Sequence, residues 1–204
     1  MRCVPIALVG PMACYADSTH DRHRQTALRP TKSAVTGLIG ACLGRDRADD
    51  QRDLYALRVH LRADQVGVVT TDLQTQQRAW RANGTTNPDT FLLRREYLQG
   101  GAYLAVAEGP DALVTQIEAA LRDPHFLPYL GTRTCLPSRP VYVAPSADTP
   151  ALDLLRVTPL LAGPPGERDA YLEDPDGPFQ VDDQPLPGRR FTARYVTPVT
   201  VTVL

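Results

Sequence analysis

Pro30-Thr31-Lys32-Ser33-Ala34-Val35-Thr36-Gly37-Leu38-Ile39-Gly40-Ala41-Cys42-Leu43-Gly44 is the stretch on which the fold turns. Pro30 and the hydroxyls of Thr31 and Ser33 form a helix-start signal. Val35, Leu38, Ile39, Cys42 and Leu43 then recur at i, i+3, i+4, i+7 and i+8, one face of an amphipathic helix. Gly37 and Gly40 each cost the helix about 1 kcal/mol relative to Ala, which reads as room for close packing on a sheet. Gly44 ends the helix. Upstream, the apolar run Arg2 to Val9 reads as a strand, so the chain opens β-α.

Working outward, residues 54–63 and 66–73 read as two strands, with Leu57, Val59 and Leu61 alternating and Asp64-Gln65 as the turn between them. Residues 74–93 are polar, carry Trp80 and an Asn83-Gly84 hairpin tip, and show no helical period. Tyr103 to Ala107 reads as another strand. Asp111 opens a second helix with Leu113, Ile117 and Leu121 on one face, and Asp123-Pro124 stops it. The order is close to the β-α-β-β-α-β ferredoxin-like plan, an α+β class. Residues 124–204 are proline-rich and end in the alternating segment Tyr195 to Val203. They predict a smaller β-rich lobe from about 146 to 204 behind a domain of residues 1–145. The Pro-, Gly- and Asp-rich segment 163–184 reads as a mobile loop.

At 204 residues, 43% hydrophobic and 22% charged, the chain has the length and composition of a protein with a real core. No run approaches the roughly 18 apolar residues a membrane span needs. The start reads as a strand rather than a leader, so a cytoplasmic location without membrane partners is expected. The four cysteines, at 3, 14, 42 and 135, show no C-x-x-C spacing and read as reduced thiols. His20 and His23 lie three apart, but no third ligand joins them, so no metal is expected. Hydrolase, NTPase and dinucleotide motifs are absent, and no cofactor is implied.

A formal net charge of −1 argues against coating nucleic acid by bulk charge. The basic residues are concentrated instead: residues 1–47 hold seven Arg or Lys against three Asp or Glu, while residues 141–204 hold five against nine. Lys32 is the single lysine among 22 basic residues. Lysine in a first helical turn is unfavourable by about 0.3–1 kcal/mol, which makes sense if a phosphate bridges it to the free N–H groups of residues 31–33. The alternative is a solvated lysine beside a plain cap. Arg94, Arg95 and Tyr97 can hold phosphate and stack on a base, or form a solvated edge strand. The loop Tyr129 to Ser138, with Gly131, Arg133 and two threonines, can cradle backbone phosphate or be an ordinary turn.

Taken together, Gly10-Pro11-Met12, the Pro30 to Gly44 motif, Arg95-Glu96-Tyr97-Leu98 and Pro128-Tyr129-Leu130-Gly131-Thr132-Arg133-Thr134-Cys135 resemble the CasD subunits of type I-E CRISPR Cascade complexes, members of the RAMP superfamily. The likeness spans residues 4–143 and, more loosely, Phe191 to Arg194. It implies a ferredoxin-like (RRM-like) core, with a thumb hairpin at about 74–95. It also implies a non-catalytic role: binding the 5′ repeat-derived tag of CRISPR RNA and bridging the CasC backbone to the large subunit CasA. Target DNA would be met only through the complex. The residues expected on RNA are Thr31, Lys32, Ser33, Arg94, Arg95, Tyr97, Gly131 and Arg133, with Tyr15, Arg22 and Arg24 as further contacts. Where the family usually has an aromatic soon after Gly-Pro-Met, this chain has Ala13-Cys14-Tyr15. The rival reading is a metal-independent ribonuclease of the same superfamily that processes precursor RNA, with His20, His23, Lys32 and Tyr15 as its set.

Overall fold

The structure, a computed structural model, describes residues 1–203 except 21, 22, 47, 79, 81, 82, 188 and 189, and describes 17–20 by their backbone alone. In chain order the elements are β1 (Arg2–Val9), β2 (Met12–Ala13), β3 (Ala16–His20), β4 (His23–Thr26), α1 (Lys32–Cys42), α2 (Arg52–Tyr55), β5 (Arg58–Gln65), β6 (Val68–Gln76), β7 (Phe91–Gln99), β8 (Ala102–Gly109), α3 (Asp111–Arg122), α4 (Ala151–Val157), β9 (Gly166–Glu173), β10 (Phe179–Leu186) and β11 (Arg190–Val203). Most strand pairs are antiparallel, and the fold is a mixed α+β one. Among the described residues no helix is long and apolar enough to cross a membrane.

The main sheet runs β1-β8-β5-β9-β11-β10. Beyond β1, the segment 141–147 lies along the edge: Ala7 N–H donates to Val141 O at 2.8 Å, and Cys3 and Ala147 exchange two bonds of 2.9 Å. The sheet is covered on both faces. Val4, Ile6, Leu8, Val59, Leu61, Ala105 and Ala107 pack with Val35, Leu38 and Ile39 of α1 and Val114, Ile117 and Leu121 of α3. Leu104, Val106, Ala170, Val201 and Val203 pack with Leu154 and Leu155 of α4 on the other side. Double coverage explains why β1 and β8 read as unbroken apolar runs instead of alternating. The second sheet, β2-β7-β4-β3 with β6 on β7, projects from the β5–β8 connection.

Helix α1 follows the predicted pattern. Thr31 caps it, accepting from Ala34 N–H at 3.3 Å. The glycines do other work than expected: a Cβ at Gly37 meets nothing within 4 Å, and one at Gly40 meets Gln51 and Leu54, so Gly40 admits α2 rather than the sheet.

Three expectations are corrected. The strand expected from 54 starts at Arg58, because Arg52–Tyr55 coil into a helical turn that buries Leu54. Asp64-Gln65 is strand, since Asp64 is the partner of the buried Arg62, and the turn falls at Val66-Gly67. The segment 163–184 is not a loop: β9 and β10 flank the long β11 and take its hydrogen bonds on both sides. The turn signals there serve the bend at 163–165 ahead of β9, where Gly163 has φ +78°, and the turn at 174–177, where Gly177 N–H donates to Asp174 O at 3.0 Å. The strands of the expected lobe, residues 146–204, extend the main sheet. Leu61↔Tyr171 and Arg62↔Ala170 pairing makes β9, β11 and β10 part of the same sheet.

Candidate nucleic-acid interface

The strand ladder assembles arginines that are distant in sequence. Strand β4 runs parallel to β7, placing His23 beside Arg94 and Arg24 beside Arg95. Arg24 and Arg94 are exposed, Arg95 half-buried. The Arg95 Nε is buried and has no hydrogen-bond partner, an arrangement that is costly unless a ligand completes it. Cys14 feels both Arg24 and Arg95: burial pushes its thiol up, and the two guanidinium groups pull it back. Glu96 is taken up beneath this edge, 3.2 Å from His23 Nε2 and accepting from Thr26 N–H at 3.2 Å.

The second loop arrives at the same place. Cys14 N–H donates to Leu130 O at 3.1 Å, and Leu130 N–H to Cys135 O at 2.7 Å. Gly131 has φ +80°, and a Cβ there would lie 2.0 Å from the Cys14 carbonyl oxygen. Its role is to let two backbones touch, which positions the exposed Arg133 near the Cys14 end of the basic edge. Arg24, Arg95, Gly131 and Arg133 are therefore brought toward one region, while Arg94, the neighbour of Arg95 in β7, lies on the other face of the sheet with His23 and Glu96. Among the described residues no side-chain hydrogen bond or ion pair occupies any of these four arginines.

Other expected residues are placed elsewhere. The Lys32 side chain is 2% exposed and its Nζ lies 2.6 Å from Glu173 Oε1. Burial lowers its pKa and Glu173 works against that shift. Its backbone N–H donates to Asp183 Oδ2 at 2.7 Å, so the helix N-terminus already holds a carboxylate. Arg194 closes the group, bonding both oxygens of Asp183 and Glu173 Oε2, the last at 3.2 Å. The lysine read as a phosphate ligand, or as part of a catalytic set, is thus neutralised by the acidic C-terminal strands. Thr31 is buried at the cap and Ser33 is half-buried, 3.1 Å from it.

Tyr15 and Tyr97 are corrected too. Both are core residues, 1% and 7% exposed, and Tyr15 packs edge-on against Tyr103. Tyr97 is opposite Thr70 on the face of β7 that also carries Arg95, but it sits at the root of the hairpin where the sheet meets the core. Neither offers a ring for a base to stack on. Of the four-residue ribonuclease set, Tyr15 lies in the apolar core and Lys32 is paired with Glu173. Arg22 and the His20 side chain lie outside the described residues. Among those described, no three His, Cys, Asp or Glu side chains are placed to hold a metal.

Sequence reading missed two features. The hairpin extends further than its polar sequence suggested: the ladder runs from Val68↔Gln99 to Gln76↔Phe91, with Trp80 bridged to Thr86 beyond it. It also missed Arg62–Asp64, a fully buried pair in which Arg62 donates to the carbonyls of Leu155, Thr158 and Pro159. The alternating charges Arg58, His60, Arg62 and Asp64 in a strand were the available signal.

Comparison with known proteins places the chain. The family model "CRISPR-associated protein (Cas_Cas5)" matches residues 3–199. The Cascade subunit CasD of Escherichia coli K12 is 31% identical over 172 residues, 76% of each chain. A solved structure described as a Cas protein superposes with a TM-score of 0.80 at 34% identity, covering 98% of this chain and 95% of that one. A chain of a CRISPR RNA-guided surveillance complex gives 0.83 at 25% identity, covering 98% and 90%. This chain belongs to the CRISPR-associated Cas5 family.

Proposed function

We propose that this Cas5-family chain is a non-catalytic subunit of an RNA-guided DNA surveillance complex of the Cascade type, gripping the 5′ repeat-derived tag of the guide RNA. Its partners are then CasC along the backbone and the large subunit CasA, and it reaches target DNA only through the guide. We read the edge order of segment 141–147, β1, β8 and β5 as the sheet of a ferredoxin-like core, with the β6–β7 hairpin as its thumb.

The observation that carries the reading is the pairing of Arg24 with Arg95 across β4 and β7, with Arg95 Nε buried and unpartnered. Guanidinium groups bind phosphate through paired donors and so suit a backbone followed by shape. Sequence would be read by base pairing with the guide, so the protein needs no base code. Lys32 is replaced in this account by Arg24, and Arg133 serves the far end of the same edge.

The test is co-expression with the other complex subunits, followed by sequencing of bound RNA. Repeat-derived 5′ ends are expected; bulk messenger or no RNA overturns the reading. The variant Arg24→Ala, Arg95→Ala should weaken guide retention and flatten its salt dependence by about 0.7 in slope for each phosphate no longer gripped. The urea midpoint of the chain should not move, because neither side chain holds the fold.

A further inference from the structure

A groove of about 600 Å³ opens between the 27–33 segment and the C-terminal strands. That size lies within the range of about 300–1,000 Å³ in which proteins hold small ligands. Part of its lining is apolar and aromatic: Leu28, Val66 and Phe191 are exposed and Tyr171 is half-buried. Four neighbours carry charge. Asp183 is neutralised by Arg194. Arg29 lies over the Tyr171 ring, 4.3 Å from its centroid. Asp169 is exposed with no partner among the described residues, and Asp182, also exposed, accepts only from Gln180 Nε2 at 3.0 Å.

Among the described lining residues the balance is one uncompensated cation against two uncompensated anions. That balance disfavours a nucleic-acid backbone in the groove. The missing complement is a cation with an apolar stem and flanks. Tyr171 already shows the mode of recognition, holding a guanidinium on its face. Arginine fits best: its planar head stacks on an aromatic ring and forks onto a carboxylate, and arginine is enriched at interface cores beside aromatic residues.

We propose that this groove is a docking site for a protein partner that inserts an arginine, flanked by apolar residues, between Asp169, Asp182 and the Tyr171–Phe191 wall. The inference rests on the reading of the chain as a subunit of an assembly, and places a protein neighbour on the face opposite in charge to the RNA edge.

The test has two arms. In the co-expressed complex, Phe191 is replaced by a photo-crosslinking phenylalanine and the product is mapped by mass spectrometry. A crosslink to a protein segment with an arginine within a few residues is expected; a crosslink to RNA, or none in an assembled complex, overturns the proposal. If no complex assembles, the subunit reading has failed, and the second arm still decides the groove. The isolated chain is titrated with acetyl-Leu-Arg-Leu-amide and with its glutamine analogue, following the Tyr171 ring signals by NMR. The arginine peptide should bind about fivefold tighter, a typical part-buried ion-pair advantage. The double variant D169N/D182N, whose urea midpoint should match that of the parent, should erase the difference. Equal binding of the two peptides by the parent chain refutes the groove as a cation site.

Discussion

Replacing Lys32 should damage the fold. Its ammonium, 2% exposed, lies 2.6 Å from Glu173, whose second oxygen also accepts from Val59 N–H at 2.9 Å and Arg194 at 3.2 Å. Removing one member of a buried ion pair typically costs about 3–5 kcal/mol, because the remaining charge stays desolvated. Arg194 keeps part of that compensation, so Lys32→Met should fall near the lower end, at roughly 3 kcal/mol. Lys32→Glu adds a further carboxylate beside Glu173 and Asp183 and should leave little folded protein. The pair can be isolated with a cycle of Lys32→Met, Glu173→Gln and the double variant, read by urea unfolding at constant m. In Glu173→Gln the new amide oxygen still accepts from Val59 N–H, so the double variant should recover at least ~1 kcal/mol of the sum of the two single losses. A Lys32→Met variant within about 0.5 kcal/mol of the parent, the range of an ordinary surface change, would refute the argument and return Lys32 to the solvent or to a ligand.

Three further variants probe other buried positions. Arg62→Met should cost about 3–5 kcal/mol and loosen α4 first, since Arg62 holds the carbonyls at its C-terminus; amide exchange of residues 154–161 would report it. Gly131→Ala should destabilise or displace the 129–135 loop, as its Cβ would overlap the Cys14 carbonyl at a φ of +80°; an unshifted melting temperature would show that the contact is slack. His60 accepts from Glu173 N–H at 3.1 Å through Nδ1 and faces Glu108 at 3.1 Å through Nε2, so it is held neutral with the proton on Nε2. Burial lowers its pKa below 6.5, with Glu108 and Glu173 opposing and Arg58 adding to the shift. Its contribution is therefore present above the unfolded value and lost as pH falls from 6.5 through the lower folded value. His60→Gln should flatten stability across that window, measured by urea midpoints.

The elements that could be read from sequence were those decided locally. The helix at 32–42 announced itself by its cap and period, and α3 by its apolar face between Asp111 and Asp123. What stayed hidden was decided by distant partners. Strands β9 and β10 have poor local signals, yet pair because β11 lies between them. Lys32 looked free because its neutralising carboxylates are 141 and 151 residues away. Tyr97 looked like a stacking platform and Tyr15 like a further RNA contact because sequence gives ring type and spacing but not the side of the sheet root that meets the core. Arg24 was legible as basic; its place beside Arg95 required a parallel pairing between strands about 70 residues apart, which no short-range pattern encodes.

The chain is nearly neutral overall, and that balance conceals a division of labour among its cations. Lys32, Arg62 and Arg194 are buried against Glu173, Asp64 and Asp183. These pairs fasten α1 to the C-terminal strands and β5 to the end of α4, so their charges are internal ties and cancel within the fold. Arg24, Arg94, Arg95 and Arg133 form no ion pair among the described residues, and the strands that carry the first three leave the core for the second sheet. Asp169 and Asp182 form no ion pair among the described residues and carry the opposite sign in the groove beside Tyr171 and Phe191. A neutral sum therefore does not describe any part of the surface an approaching molecule meets. An anionic backbone meets the Arg24–Arg95 pair, a cationic side chain meets two carboxylates without an ion pair beside aromatic rings, and each surface disfavours the other's ligand by the same electrostatics that attracts its own.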